Sequence, residues 1–368
     1  MKKKIVLLIF SILFSIILIE ILLNFNGKYK NLTNTKLIPS DSIYERPSSS
    51  IQKYKHPDLN YIINNYFDED GVKNFTNTTT SNKRNIIGFF GDSFVENIAI
   101  PKEFEYSNLI NRSLKTNTVV NYGVGGYSAD QVFLRFIKYK NHDFKHVFYF
   151  YMLDDDVLKT NIEFLDNQNY KLNKKKINKL YQFIGKLNIT YFLIESFYVI
   201  RGKLFENHTT INKNNFNSIL ANKIHSKFYS KNYNKFYSKN YNECKSNKYK
   251  CEDNFIKLLS LFKKEVEKTN SSFHILLYPN ENHIKQFKNL LKKYSVDFDY
   301  HILDDDLELN FSNEYNKYKF KNDKHWNEYG NILFAKNILS IFNKIGIETG
   351  KLEYDNIYNE VDQFYKDN

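Results

Sequence analysis

Hydrophobic residues enter the chain first as a block. Met1-Lys2-Lys3-Lys4 is followed by nineteen residues, Ile5 to Leu23, broken only by Ser11, Ser15 and Glu20. At about 1.5 Å per helical residue, this run matches a hydrocarbon core of about 30 Å. A cleaved secretory signal, the alternative, has a shorter apolar region of about 7–15 residues and a small-residue cleavage site. Here Asn24-Phe25-Asn26 follows directly. Residues 1–25 are therefore predicted to form one transmembrane signal-anchor helix, with its lysines in the cytoplasm and the chain from about Asn26 onward outside.

Residues 26–84 show little periodicity. They are rich in Asn, Lys, Ser and Thr, carry turn signals at Arg46-Pro47, His56-Pro57 and Asp70-Gly71, and read as a stalk with an extended lead-in. From residue 85 short apolar runs alternate with helical periods. Ile86–Phe90 reads as a buried strand ended by Gly91-Asp92-Ser93. Phe104–Leu114 reads as a helix, and Val119–Asn121 as a strand that breaks into Gly123-Val124-Gly125-Gly126. Ser128 is the expected N-cap of a helix reaching about Lys140. His146–Leu153, Phe273–Tyr278 and Tyr300–Leu303 complete five strands, with helices at Phe255–Lys268 and His283–Lys293. A last helix after Asn327 carries Ile332, Leu333, Ala335, Ile338, Leu339 and Phe342. The alternation predicts an α/β fold over 85–345: a doubly wound α/β/α sandwich, flavodoxin-like, with a mostly parallel five-stranded sheet. Residues 346–368 read as a tail.

Between about 159 and 250 the alternation lapses. The octapeptide at Lys227–Asn234 recurs at Lys235–Asn242. Two copies are too few for a solenoid and mark a tolerant surface insertion. Tyr181–Phe205 is more apolar and reads as a helical cap or a membrane-surface segment.

Composition adjusts this picture in two places. A chain of 368 residues that is 42% hydrophobic and 17% aromatic buries a core without metal or disulfide staples. The net charge of +12 would suggest nucleic acid or anionic membrane as a partner. Yet only five of the 53 basic residues are Arg (Arg46, Arg84, Arg112, Arg135 and Arg201). Arg is the side chain whose planar fork reads guanine and phosphate, so no nucleic-acid partner is expected. Scattered Lys among Asn, Ile, Tyr and Phe is the signature of AT-rich coding. The two cysteines, Cys244 and Cys251, would close a small loop in an oxidising compartment or stand as two free surface thiols.

Four unusual sequences fall at the ends of predicted strands or at the start of the last helix, where doubly wound folds hold their ligands. They are Gly91-Asp92-Ser93-Phe94, the glycine cluster, Asp154-Asp155-Asp156 and Asp323-Lys324-His325. In order and spacing they resemble the SGNH hydrolases, also called GDSL esterases and lipases. Gly91-Asp92-Ser93 is similar to the first block of that family, and Asn121-Tyr122-Gly123-Val124-Gly125-Gly126 to the second. Asp323-x-His325-Trp326-Asn327-x-x-Gly330 is similar to the last. The resemblance covers about 85–158 and 255–343. It implies Ser93 as nucleophile, His325 as its base, and Asp323 as the group that orients the imidazole. The oxyanion donors it implies are the backbone N–H groups of Ser93 and Gly126, glycine permitting close approach to a substrate.

The third block departs from the family, which places an Asn amide at the oxyanion. Asp154 is the best match here, or Asp155 if the register shifts by one. An ionised carboxylate only accepts hydrogen bonds and would repel an oxyanion. Three readings stay open: a protonated Asp154 that donates, its pKa raised by burial and neighbouring carboxylates; two backbone donors acting at reduced rate; or a site that has lost hydrolysis.

Anchor and resemblance together imply a membrane-anchored serine esterase with its catalytic domain periplasmic or extracellular. The expected substrates are O-acyl esters, acetyl foremost, on envelope glycans, with water or a sugar hydroxyl as acceptor. Trp326 beside the base offers a ring for sugars to stack on. A non-catalytic envelope binding or assembly protein on the same fold is the alternative. A cation-dependent nucleotide-sugar glycosyltransferase, suggested by Asp154-Asp155-Asp156 and Asp304-Asp305-Asp306 at strand ends, leaves Ser93 and His325 unexplained. His142-x-x-x-His146 has the spacing of a metal pair, but His146 is predicted to start a strand, so the two would not share a helical face. No metal and no cofactor is expected.

Overall fold

A computed structural model of the chain describes residues 11, 14–23, 38–39, 43–54, 56, 58–59, 61–73, 85–152, 156–157, 248–278, 280–303, 315–321 and 325–367. Residues 14–23 form a helix, α1, on which Phe14, Ile17, Leu18, Ile21 and Leu22 are exposed. Among the described residues no helix is long and apolar enough to cross a membrane. The first ten residues of the predicted anchor, most of the insertion with its tandem octapeptide, and Tyr181–Phe205 lie outside the described residues.

Five parallel strands form the sheet: β5 (Ile86–Phe90), β6 (Thr118–Asn121), β7 (Phe144–Tyr151), β8 (Ser272–Leu277) and β9 (Tyr300–Ile302), in the order β6-β5-β7-β8-β9. Every residue of β5 is buried, as expected of a central strand covered on both faces. Side chains alternate between those faces. Ile86, Phe90, Val147, Tyr149 and Ile275 join one core with α4 (Ala129–Tyr139), α5 (Lys248–Glu267) and α6 (Glu281–Tyr294). Ile87, Phe89, Phe148, Phe150 and Leu276 join the other with α3 (Tyr106–Asn111), α8 (Glu328–Lys344) and α9 (Tyr354–Asp367). The chain leaves β5 for β6 on one side and returns to β7 on the other, so the order reverses at β5. Doubly wound sheets hold ligands at that switch point, and Ser93 follows the carboxyl end of β5.

Local chemistry sets the helix starts. Ser128 and Gln131 form a capping box at α4. Asn280 accepts from the His283 N–H at 3.1 Å at α6, and Asn327 from the Gly330 N–H at 3.1 Å at α8. The predicted helix Phe104–Leu114 is shorter, because Glu105 caps a new start by accepting from the N–H groups of Ser107 and Asn108 at 3.0 and 3.2 Å.

The lead-in is more than an extended stalk. After the short pair β1 (Ile38–Pro39) and β2 (Tyr44–Glu45), a hairpin of β3 (Ser50–Tyr54) and β4 (Ile63–Phe67) runs on to Lys73, which bridges Asn121 at the end of β6. Residues 346–368, read as a tail, contain α9, whose Ile357 and Val361 are buried. Cys251 is disulfide-bonded, and Cys244 is the only other cysteine in the chain, so the bonded reading holds.

A buried guanidinium joins the lead-in to the sandwich. Arg135 of α4, 1% exposed, donates to the Tyr122 carbonyl at 2.9 Å, to Glu45 at 3.2 Å and to the Gly71 carbonyl at 3.3 Å. Removing one partner of a buried pair strands the other, at about 3–5 kcal/mol. Arg135→Ala is therefore expected to lower unfolding free energy by about that amount in chemical denaturation. It should also speed proteolytic cleavage between residues 43 and 73 ahead of the sandwich.

Candidate active site

At the carboxyl end of β5 the chain turns at Gly91 into a one-turn helix, α2 (Ser93–Glu96). The Asp92 carboxylate caps it, accepting from the Phe94 N–H at 2.9 Å. This places Ser93, half-buried, at the first helical position. From 232 residues further on, His325 brings Nε2 to 2.6 Å from Ser93 Oγ.

His325 is held on both sides. Its carbonyl accepts from the Phe320 N–H at 3.1 Å, the Asn327 N–H donates to the Tyr318 carbonyl at 3.1 Å, and the Asn327 amide donates to the Lys317 carbonyl at 2.7 Å. These bonds pin residues 325–327 against 317–320 beside α7 (Tyr315–Tyr318). The imidazole packs against the Phe94 ring, centroid to centroid 4.8 Å. A hydroxyl at hydrogen-bond distance from an imidazole nitrogen is the minimum pair for general-base activation of a nucleophile.

The glycine cluster lies against this turn. A Cβ at Gly123 would stand 2.5 Å from the Glu96 backbone N and 2.8 Å from the Val95 carbonyl carbon, so only glycine lets the two backbones meet. A Cβ at Gly125 would lie 3.6 Å from Ser93 Cβ. Gly126 follows at φ +82°, exposed, with nothing within 4 Å of where a Cβ would stand. Asn121 braces the arrangement: its amide donates to the Val95 carbonyl at 2.5 Å and to Glu105 at 2.9 Å, and its oxygen accepts from the Gly123 N–H at 2.9 Å.

Asp323, Asp154 and Asp155 lie outside the described residues, as do Asp304, Asp305 and Asp306. The last member of the first triplet, Asp156, is buried and accepts from the Met152 N–H at 2.6 Å, which closes the end of β7. Trp326 is not a sugar platform. It is 1% exposed and packs on Phe94, Phe150 and Phe334 at 5.5, 5.9 and 4.6 Å. Hydrophobic burial claims the largest ring, and the partly exposed rings beside it are Phe94 and Tyr278. His142 is occupied with the Tyr122 hydroxyl at 2.7 Å, and His146 lies inside β7, so the pair suggested by their spacing does not form.

Sequence reasoning missed the polar support beneath Ser93. Glu96, 1% exposed, receives the Arg46 Nε–H at 2.6 Å on one carboxylate oxygen and the Gly125 N–H at 2.8 Å on the other. Arg46 also donates to Gln52 at 3.1 Å. One carboxylate thus joins the lead-in, the helix bearing Ser93 and the glycine loop. Two signals were available. Glu96 is the single charge between Phe94 and Ile100, and Arg46 is one of few arginines in a lysine-rich chain, where a fork geometry is needed. Lys73 completes the support, donating to the carbonyls of Glu96 and Asn97 at 3.2 and 2.7 Å.

No protein-family model matches the chain, and no curated protein matches it. The likeness to the SGNH hydrolases therefore rests on the sequence blocks alone.

Two outcomes follow for the support. Glu96→Gln leaves Arg46 buried opposite a neutral group and is expected to cost about 3–5 kcal/mol of stability. It should also slow fluorophosphonate modification of Ser93 at least about tenfold, with Arg46→Lys intermediate because charge survives without the fork. Burial pushes the Lys73 pKa down to about 8 from 10.5, against the pull of Glu105 and Glu96. Between those values the unfolded chain binds more protons than the folded one, so this group's contribution to stability rises with pH. Denaturation at pH values on either side of that window should show wild type gaining on Lys73→Met as pH rises.

Proposed function

We propose that the chain is an SGNH-type serine esterase, anchored in the cytoplasmic membrane and acting outside it on O-acyl esters of envelope glycans. The observation that carries the reading is the 2.6 Å contact between Ser93 Oγ and His325 Nε2, made by the two residues that the family blocks mark as nucleophile and base. In the proposed reaction His325 takes the Ser93 proton as Oγ attacks the ester carbonyl. The resulting oxyanion receives the backbone N–H groups of Ser93 and Gly126. Protonated His325 then returns the proton to the leaving sugar oxygen, forming an acyl-serine. Water, or a second sugar hydroxyl, deprotonated by the same imidazole, releases the acyl group and restores Ser93. Asp323, two residues before the base, is assigned the role of holding its other nitrogen.

The compartment follows from the apolar run of residues 5–23 behind three lysines. Exposed Phe14, Ile17, Leu18, Ile21 and Leu22 on α1 and the disulfide at Cys251 agree with it. Acetyl is the favoured acyl group, because a compact acyl fits an envelope modification. The site needs no cofactor for this chemistry.

The reading is tested on the full chain in detergent with a fluorophosphonate probe and with p-nitrophenyl acetate. Labelling of one site that disappears in Ser93→Ala, with turnover reduced about 10³-fold or more in His325→Ala, is the expected result. Asp154→Asn is expected to keep or raise turnover. A folded chain that takes no label would instead favour the binding or assembly module.

A further inference from the structure

Three histidines lie side by side on neighbouring strands, away from Ser93. His146 of β7, His274 of β8 and His301 of β9 share the face covered by α8, as their two-residue spacing to Phe148 and Leu276 requires. His146 and His274 sit in the amino-terminal halves of their strands, whereas Ser93 follows the carboxyl end of β5. His274 is buried, with Phe148 stacked on it at 4.6 Å. Its Nε2 is 3.1 Å from His146 Nδ1. Its Nδ1 is 2.7 Å from Asp299 Oδ2 and 3.1 Å from His301 Nε2, and that His301 nitrogen is 3.6 Å from Asp299 Oδ1.

Two partners converge on one nitrogen. An imidazole nitrogen carries either a proton or a lone pair, so His274 Nδ1 serves Asp299 as a donor or His301 as an acceptor, never both. One cation with several open positions serves all three groups. A tetrahedral ion with bonds of about 2.0–2.1 Å holds its donor atoms about 3.3 Å apart; the two nitrogens stand 3.1 Å apart, Asp299 reaches one with Oδ2 at 2.7 Å and the other with Oδ1 at 3.6 Å, and one ligand atom from each residue lies within 4.8 Å of the others.

We propose that His274 Nδ1, His301 Nε2 and the Asp299 carboxylate bind one divalent transition-metal ion, zinc by its preference for this donor set. His146 is the positioning partner, accepting the Nε2–H of His274 and fixing its tautomer. The Asp299 side chain is 56% exposed, which gives the ion a path in and a fourth position for water. Lys344 is the cation that acts on His301 from α8, and the Asp299 charge opposes it. The ion would staple β9, an edge strand of three residues, to β8. Its role is structural, separate from ester chemistry.

The test uses the full chain in detergent, stripped by a chelator and titrated with zinc against a chromophoric competitor, with cobalt as the spectroscopic probe. Expected are one zinc per chain, visible cobalt absorption typical of four-coordination, and a higher unfolding temperature with zinc. Affinity should fall at least about tenfold in His301→Gln and in Asp299→Asn, with the cobalt band lost. It should fall about 10- to 100-fold in His146→Phe with the band retained. Asp299 is exposed, so Asp299→Asn carries the test even where a buried-histidine variant fails to fold. Zinc binding equally tight in Asp299→Asn and wild type, or absent from wild type, overturns the proposal.

Discussion

A carboxylate withdrawn from water must be given back its hydrogen bonds, or the segment that carries it will not stay buried. At Glu96 those bonds come from two places far apart in sequence, the Arg46 guanidinium and the Gly125 N–H. Hydrophobic packing decides which face of the sheet each helix covers, yet it tolerates small slides and rotations. The Glu96 bonds have direction, and they set how the one-turn helix bearing Ser93 faces the glycine loop. Arg135 repeats the device one layer away, on Glu45 and the carbonyls of Gly71 and Tyr122. With Lys73 beneath the end of α2, these contacts make residues 43–73 part of the unit that positions Ser93. The boundary at residue 85, drawn where apolar periodicity begins, marks a change of texture and not a physical division.

How much of this was legible depended on what each residue buries. β5 was plain because all five of its positions are apolar and covered on both faces. α4 and α8 were plain because Ser128 and Asn327 announce them and long apolar faces follow. The β3–β4 hairpin was hidden by its own inward pair. Gln52 and Asn65 oppose each other across the strands and both are buried, so the buried alternation reads as polar. α9 was hidden because two buried residues, Ile357 and Val361, suffice to seat it. Ser93 and His325 were legible from block order, and they meet. Trp326 misled because proximity to His325 in sequence says nothing about which way a ring turns. The histidine row leaves no trace in spacing at all: residues 146, 274 and 301 become neighbours through strand register alone.

Along the sheet, Ser93 and the histidine row lie toward opposite ends of the strands. Phe89, Phe148 and Phe342 pack against one another on the face shared with His274, at 5.1 Å for the first pair and 5.6 Å for the second. The disulfide at Cys251 lies on the opposite face, at the start of α5, where the chain re-enters the sandwich after the insertion.

The distance along the chain between Ser93 and His325 also orders events in time. β5, β6 and β7 are contiguous within residues 86–151 and can pair through short-range contacts as soon as they exist. The serine and its imidazole are 232 residues apart, with β8 and β9 between them in the chain. Long-separation contacts form late, since loop closure must precede the contacts that reward it. A half-folded chain thus presents an unpaired serine hydroxyl, which is a poor nucleophile. The contact between Ser93 and His325 is therefore among the last features that the folding chain can assemble.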